Sequence, residues 1–319
     1  MLSGSLGASF IQGSKSTAVD ERTRCLGLVA LLLLGHLPGV ADASAWLLEP
    51  GQVRLRTVYF QEIAEEKFAS GVDCFDCDPG EVIPLSPFDA QSSFRSVSLE
   101  LAVGLPHGFE AEISAPFVRS ELHDDQDEFF ETRENTGVSD VWFFLRKSIP
   151  SPVAAALVFK TKAPTGDFQF VDGTVPSGEG QWDVGLGLET GGSAPLVDYW
   201  MLEIETRFRF ERAATRERPG NELHVFAGTG VDLFQAAGFD VGLSGYLSWL
   251  RGGLFSEDGI ELPQSQRSRL VPWAALSVQA PTPFGIRADL GFGRAVQGRN
   301  LPLGNQYFVA ISRIFRPTI

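Results

Sequence analysis

The sequence is short of basic residues, of cysteine and of long apolar runs, and each shortage excludes a class of protein. Lys and Arg together number 26 against 40 for Asp and Glu, so the formal net charge is −14. Binding to nucleic acid without sequence preference needs a basic surface, so nucleic acid is not an expected partner. The chain is instead rich in Gly and Phe, with 34 and 25 residues, which favours strands and turns over helices.

The longest apolar run lies near the N-terminus, at residues 25–40, and it is too short for a confident transmembrane helix. Two arginines precede this run, and the small residues Ala-Ser-Ala follow it and end at Ala45. This order predicts a secretory signal peptide cleaved after Ala45, with an uncleaved anchor as the alternative. The predicted organisation is an N-terminal extension and signal peptide at residues 1–45 and a single domain at residues 46–319.

Two of the cysteines, Cys74 and Cys77, remain after the predicted cleavage. A Cys-x-x-Cys pair can be a redox site, half of a zinc site or a small disulfide. The sequence has no second pair to complete a zinc site, and no βαβ unit of the thioredoxin kind surrounds this one. In an exported protein we expect a disulfide between Cys74 and Cys77 that fixes a loop, and no metal site.

Alternation of apolar and polar residues dominates residues 46–319. In residues 109–117 and 202–210, apolar side chains occupy every second position and mostly charged or polar ones lie between them. A period of two indicates strands with one apolar and one polar face. The pattern predicts strands at about 52–67, 91–104, 109–121, 137–149, 153–163, 181–191, 197–212, 222–233, 239–251, 267–280, 285–296 and 305–315.

The connections between these strands alternate in length. Tight turns rich in Gly and Pro fall at 105–108, 150–152, 192–196, 235–238 and 281–284, and longer polar connections fall at 68–90, 122–136, 164–180, 213–221, 252–266 and 297–304. Bacterial outer-membrane barrels have an even strand count, short periplasmic turns and longer external loops. The predicted fold class is therefore all-β, a transmembrane antiparallel β-barrel of about 12 strands in the outer membrane.

A soluble β-sandwich is the alternative fold, because it also alternates and turns often. Strands in soluble proteins average about five or six residues. Several strands here extend over about ten residues, the length a tilted strand needs to cross a bilayer. The polar faces also carry too many charges to pack between two sheets, so the membrane barrel is the preferred interpretation.

A motif series in residues 137–192 resembles a known family. A Gly-x-x-Asp strand is followed by a strand that ends in Lys-x-Pro-Thr-Gly-Asp, and a glycine-rich loop then leads to a Gly-x-Gly-Leu strand; the matching positions are Gly137, Asp140, Lys162, Pro164, Thr165, Gly166, Asp167 and residues 178–187. This series is similar to the outer-membrane transporter-like β-barrel family of the phenol-degradation MetA-pathway group. The resemblance implies an outer-membrane channel for small aromatic or hydrophobic compounds.

Charged residues on the polar faces of the strands are the candidate site. They are expected to line the lumen, since Lys or Arg on the lipid face at the midplane would cost roughly 2–4 kcal/mol. The candidates are Glu110, Glu112, Lys160, Lys162, Glu203, Glu205, Arg207, Arg209 and His224. Two interpretations remain, a selectivity lining and a salt-bridged plug, and the plug is slightly preferred for a barrel of intermediate size.

Catalysis is not expected. The histidines beyond the signal are His107, in a short turn, His123, in an acidic loop, and His224. None is paired by spacing with a serine nucleophile, and Ser244 lacks the strand-to-helix elbow of hydrolase serines. The acidic run at 123–131 has no EF-hand spacing and is interpreted as a solvated loop. No cofactor is expected.

The sequence therefore predicts an outer-membrane channel or transporter for passive uptake of small molecules, hydrophobic or aromatic ones among them. The alternative is a closed structural or receptor-type barrel without transport. The expected partners are outer-membrane lipids and lipopolysaccharide, a small-molecule cargo, and the barrel-insertion machinery during assembly. The last expectation rests on the aromatic final strand, although residues 316–319 follow its terminal Phe.

Overall fold

The computed structural model describes residues 47–70, 77–85, 90–123, 133–167, 177–212, 217–236, 239–257, 260–262, 265–280 and 285–316. All of these residues belong to one compact unit, Val40–Ile319. The predicted signal peptide and the acidic run of residues 124–131 lie outside the described residues. Within the described part of the chain, no helix is long and apolar enough to cross a membrane.

Strands account for nearly all of the regular structure. They are β1 (Val53–Phe68), β2 (Val82–Pro84), β3 (Gln91–Leu105), β4 (Phe109–His123), β5 (Arg133–Val138), β6 (Val141–Ser148), β7 (Ala154–Ala163), β8 (Asp183–Ala194), β9 (Val197–Arg209), β10 (Glu217–Arg218), β11 (Glu222–Ala236), β12 (Phe239–Gly252), β13 (Phe255–Glu257), β14 (Ile260–Leu262), β15 (Ser268–Gln279), β16 (Ile286–Arg294), β17 (Gln297–Arg299) and β18 (Leu301–Phe315). A one-turn 3-10 helix at Pro106–Gly108 joins β3 to β4.

The long strands form a closed antiparallel barrel. Each is hydrogen-bonded to its neighbours in the order β1, β3, β4, β6, β7, β8, β9, β11, β12, β15, β16, β18, and β18 returns to β1. The barrel thus has 12 strands, as the alternation predicts. The turn between β8 and β9 and the one between β3 and β4 are tight, whereas β7 to β8 and β12 to β15 are linked by longer segments. The predicted rhythm of short and long connections is therefore confirmed.

The strand boundaries differ from the sequence prediction in three places. The strand predicted at 137–149 begins at Arg133 and is divided into β5 and β6 by Ser139 and Asp140. The last strand begins at Leu301 rather than at 305, because residues 301–303 pair with the end of β1 beyond a bulge between Ala64 and Glu66. Several predicted loops contain short strands, such as β2 on β1 and β17 on β15. Each of these additions depends on pairing with a distant segment.

Exposure separates the two faces of the barrel wall. Leu99, Leu186 and Ile311 are 53–54% exposed, although each lies within a strand. Glu110 and Lys162, on the opposite face of their strands, are only 1% exposed. Such a distribution inverts that of a soluble protein, and it suits a wall that contacts lipid outside and polar groups inside.

Candidate functional site: the barrel lumen

The end of the lumen near the long connections carries a network of ion pairs. The ammonium of Lys162 lies 2.9 Å from Asp183 and 3.4 Å from Asp140. The guanidinium of Arg209 lies 2.9 Å from Glu222, and it also pairs with Glu179. Asp183 is 0% exposed and Arg209 is 2% exposed. Charges removed from water to this degree are costly unless they are paired, so this network holds the wall residues together.

A second group of charges continues the network toward the middle of the barrel. Lys160 on β7 donates to Glu205 on β9 at 2.7 Å and also pairs with Glu203. Arg207 lies 3.2 Å from Glu205 and rests over the ring of Trp142, 4.5 Å from the ring centroid. The contacts of Lys160 with β9 and of Arg207 with Trp142 on β6 cross intervening strands, which requires these side chains to point into the lumen.

The end of the lumen near the short turns has its own cluster. Arg146 on β6 contacts Glu110 at 3.0 Å and Glu112 at 2.9 Å, and Arg54 on β1 also reaches Glu112 at 2.9 Å. The backbone N–H of Leu48 donates to Glu110 at 2.9 Å. Glu110 and Glu112 therefore join strands β1, β4 and β6 and the segment that precedes β1.

Every charged residue in the predicted lumen set takes part in ion pairs on the inner side of the wall. Lys160, Glu203, Glu205 and Arg207 pair within the set, whereas the others pair with charged residues outside it. Glu110 and Glu112 belong to the cluster near the short turns, called the lower charged cluster below. The two groups nearer the long connections contain Lys160, Lys162, Glu203, Glu205, Arg207 and Arg209. His224 contacts Glu222 at 2.9 Å and so belongs to the network near the long connections. His107 and His123 lie at opposite ends of the wall, away from His224. The selectivity role of the set remains a prediction.

The structure describes only one of the two cysteines of the predicted disulfide. Cys77 is disulfide-bonded. Its predicted partner, Cys74, lies outside the described residues, so the pairing of Cys74 with Cys77 remains a prediction.

The motif residues of the family resemblance meet at the break between β5 and β6. Asp140 is 3% exposed, and its carboxylate accepts hydrogen bonds from the backbone N–H groups of Gly166 at 3.1 Å and Glu179 at 2.8 Å. The hydroxyl of Thr165 donates to the carbonyl of Ser139 at 2.9 Å. The Pro-Thr-Gly-Asp segment is therefore folded against the wall, and Asp140 leaves the strand ladder to hold it there.

Glu179 lies in the connection between β7 and β8, outside the strands. Burial would raise the pKa of its carboxyl, but the charges of Arg209, Lys162 and Arg267 outweigh burial and lower the pKa to about 2. The carboxylate therefore stays ionised at neutral and mildly acidic pH. It joins this connection to strands on both sides.

Sequence reasoning missed an aromatic wall on the other side of the lumen. Four aromatic residues there lie directly opposite glycines on a neighbouring strand: Tyr246 opposite Gly228, Tyr199 opposite Gly230, Trp273 opposite Gly293 and Phe308 opposite Gly291. A Cβ atom on Gly291 would lie 2.0 Å from the Phe308 ring, and one on Gly228 would lie 2.4 Å from the Tyr246 ring. The rings thus lie flat over the glycines, which only a residue without a side chain permits.

These rings contact each other. Trp273 lies 5.7 Å from Phe308 and 6.3 Å from Phe60, between ring centroids, and Phe226 is stacked on Tyr246 at 5.3 Å. The Tyr199 hydroxyl donates to Ser244 at 2.6 Å and lies 2.9 Å from the hydroxyl of Tyr246. Spacing of glycines by two residues, as in Gly228 and Gly230, is the sequence signal that could have revealed this wall.

A cavity of about 760 Å³ lies between the aromatic wall and the lower charged cluster. Its apolar side is formed by Phe60, Phe226, Tyr246, Trp273 and Phe308, and its charged side by Arg54, Arg56, Glu100, Glu112 and Arg146. Ligand pockets commonly have volumes of about 300–1,000 Å³ with mostly apolar walls and a few polar groups. The lumen therefore has one ion-paired end and one chamber with two chemically different sides.

Comparison with known proteins shows a similarity of fold to solved outer-membrane structures. No protein-family model and no curated protein matches the chain. A crystal structure of an outer membrane channel from Pseudomonas putida F1 is similar, with a TM-score of 0.65 and 16% identity, and the match covers 86% of this chain and 100% of that one. The β domain of the Bordetella autotransporter BrkA has a TM-score of 0.50 and 11% identity, covering 83% of this chain and 100% of that domain.

The closed sheet, the apolar exterior and the polar lumen define a transmembrane β-barrel of the outer-membrane type. The chain is accordingly a bacterial outer-membrane protein, as the sequence predicts. The resemblance to an outer-membrane transporter-like barrel is confirmed at the level of the fold. Membership in the phenol-degradation group stays a prediction.

Proposed function

We propose that this protein is an outer-membrane channel for passive uptake of small hydrophobic or aromatic molecules. The observation that carries the proposal is the chamber of about 760 Å³ inside the barrel, with its aromatic side and its charged side. A barrel that served only as an anchor would gain stability if side chains filled this space, since empty volume costs packing energy. The proposal includes no catalytic step.

Flat aromatic rings are well suited to an apolar or aromatic cargo. Planar aromatic groups pack on Trp273 and Phe308 in offset or edge-to-face arrangements, each favourable by about 0.5–1.5 kcal/mol beyond the buried area. The similar Pseudomonas putida F1 protein is an outer membrane channel. That description supports a channel role for this chain without naming its cargo.

A closed structural or receptor-type barrel is the second candidate. It is favoured by the ion-paired end of the lumen, where Lys162, Asp183 and Arg209 are almost completely buried. In this alternative, the chamber would bind a molecule without releasing it to the other side. The two candidates differ in whether anything crosses the membrane.

Uptake into liposomes and conductance in planar bilayers distinguish the two. We expect the refolded protein to carry a small neutral aromatic probe into vesicles, and we expect W273A, which enlarges the chamber, to alter the rate. The matched control is W182A, because Trp182 is 54% exposed on the outer side of the wall. Absence of uptake and of conductance steps from heat-modifiable, folded protein would contradict the channel.

The outer surface of the barrel supports the proposed lipid and insertion-machinery partners. The apolar band that includes Leu99 and Leu186 would contact outer-membrane lipids, with lipopolysaccharide in the outer leaflet. Strand β18 ends at Phe315, which is 44% exposed, and this aromatic terminal strand would be read by the barrel-insertion machinery.

A further inference from the structure

The chamber presents more positive than negative charge to whatever occupies it. In each ion pair whose two partners both line the chamber, the arginine is the more exposed partner. Arg56 is 39% exposed against 17% for Glu100, and Arg287 is 42% exposed against 19% for Asp289. Arg54 is 27% exposed against 7% for Glu112. The carboxylates are therefore largely covered, while the guanidinium groups keep donors available.

Two of these arginines lie in one row of the inner wall. In the register of the sheet, Arg287 on β16 is opposite Ser312 on β18, and Ser312 is opposite Arg56 on β1. Neighbouring strands lie about 4.8 Å apart, so the two arginine backbones are about 10 Å apart with a hydroxyl between them. Long side chains that converge from this separation can both reach a single carboxylate-sized anion.

An apolar shelf lies directly above this row. Two residues further along each strand, Val58 and Ala310 face the lumen, and two residues beyond them are Phe60 and Phe308. Phe308 contacts Trp273 on β15. All of these except Ala310 line the same chamber as Arg56 and Arg287. A molecule with an apolar body and a charged end would match both surfaces simultaneously.

We infer that the chamber binds an amphipathic anion, with its carboxylate held by Arg56, Ser312 and Arg287 and its ring or chain on the shelf of Phe60, Phe308 and Trp273. This inference rests on the proposed function and names the substrate class within it. A cationic amphiphile fits less well, because the carboxylates it would need are the covered partners. The chamber volume of about 760 Å³ accommodates a bicyclic aromatic acid with space for water.

Calorimetry on the full chain folded in detergent micelles tests the inference with two probes of the same ring. We expect 2-naphthoate to bind about tenfold more tightly than 2-naphthalenemethanol at low ionic strength, the factor that a charge-assisted hydrogen bond provides. In R287Q/D289N, which removes the cation and its partner without changing the net charge, this preference should fall to about one. The neutral alcohol should bind as it does to the original protein.

The matched control is R294Q, on the same strand but with its arginine 50% exposed beside Glu66 and away from the chamber. It should retain the preference for the acid. R56Q/E100Q repeats the test from β1 and provides an answer if R287Q/D289N does not fold. Equal affinity for the two probes in the original protein, or a preference that survives both double variants, overturns the inference.

Vesicle uptake of the same probes separates this inference from the proposed function. If the alcohol enters vesicles and the acid is not preferred in binding, the channel stands and the anion site is wrong. If the acid is preferred in binding and neither probe enters vesicles, the anion site stands as a receptor site and the channel is wrong.

Discussion

Glycines opposite aromatic rings determine the free space of the lumen, residue by residue. Gly228 illustrates this, because a Cβ atom there would lie 2.4 Å from the Tyr246 ring. We expect G228A to destabilise the barrel by about 1–3 kcal/mol, since the ring has to leave its position. Urea unfolding in lipid vesicles measures the change.

Two further variants make this prediction specific. G245A is the matched control, because a Cβ at Gly245 would meet no other atom closer than 3.9 Å, so its stability should be nearly unchanged. Removing the ring in G228A/Y246A should recover part of the loss. Equal destabilisation by G228A and G245A would show that loss of backbone freedom, rather than the ring, is responsible.

Glu179 gives a pH dependence with a defined sign. Its pKa is lowered from the ordinary 4.5 to about 2, so the unfolded chain binds the proton more tightly than the folded one. Its contribution to stability is therefore complete above about pH 4.5 and is lost as the pH falls toward 2. We expect the stability of E179Q to depend less on pH in this window than that of the original protein.

The unfolding temperature measures this difference. It is determined between pH 2 and 6 from the change in gel mobility that accompanies unfolding of the barrel in detergent. E134Q is the control, because Glu134 has the same exposure, 42%, and pairs with Arg119 at the barrel edge. The curve of E134Q should run parallel to that of the original protein. A curve for E179Q with the same slope as the original would mean that the surrounding cations do not stabilise the ionised carboxylate.

At the scale of elements, Asp140 in the break between β5 and β6 attaches the connection between β7 and β8 to the barrel wall. Asp140 accepts the N–H groups of Gly166 and Glu179. We expect D140A to cost about 1–3 kcal/mol, because two partly buried donors and Lys162 lose their acceptor. Amide exchange at Gly166 and Glu179 should become much faster.

The control for D140A uses an aspartate in a similar role elsewhere. Asp198 accepts the backbone N–H of Asp232 at 2.6 Å in an exposed position. D198A should leave the exchange at Gly166 and Glu179 unchanged. Unaltered protection of these two amides in D140A would mean that other contacts, such as those of Thr165, are sufficient to hold the connection.

Alternation predicted the strands because each barrel strand has one lipid face and one lumen face, a purely local pattern. It worked best on β4 and β9, where charges such as Glu112 and Glu205 mark the inner face. It failed to reveal the inner face of β15 and β18, because Trp273 and Phe308 are as apolar as the lipid-facing residues. It also passed over the break at Asp140, whose acceptor role depends on residues of a distant connection.

For the whole molecule, the paired network and the chamber divide the lumen into two zones. We expect R209Q/E222Q to raise single-channel conductance. It removes the Arg209–Glu222 pair and the contacts of these two residues with Glu179, Asp183 and Arg267 from the ion-paired end of the lumen, without changing net charge. The control is R119Q/E134Q, which removes an exposed pair at the rim. Planar-bilayer recordings compare the two, after unboiled gel migration has shown that both variants fold. A rise in the control alone would place the constriction elsewhere.

The register of the sheet fixes the circumference of the barrel, while Tyr246, Trp273 and Phe308 fix the width of the chamber through side chains alone. Because glycines lie beneath these rings, a smaller residue in place of a ring leaves the backbone where it is. Evolution can therefore change the size of the accepted cargo by single substitutions without altering strand number. Related barrels with this arrangement should differ in their ring residues more freely than in the glycines beneath them.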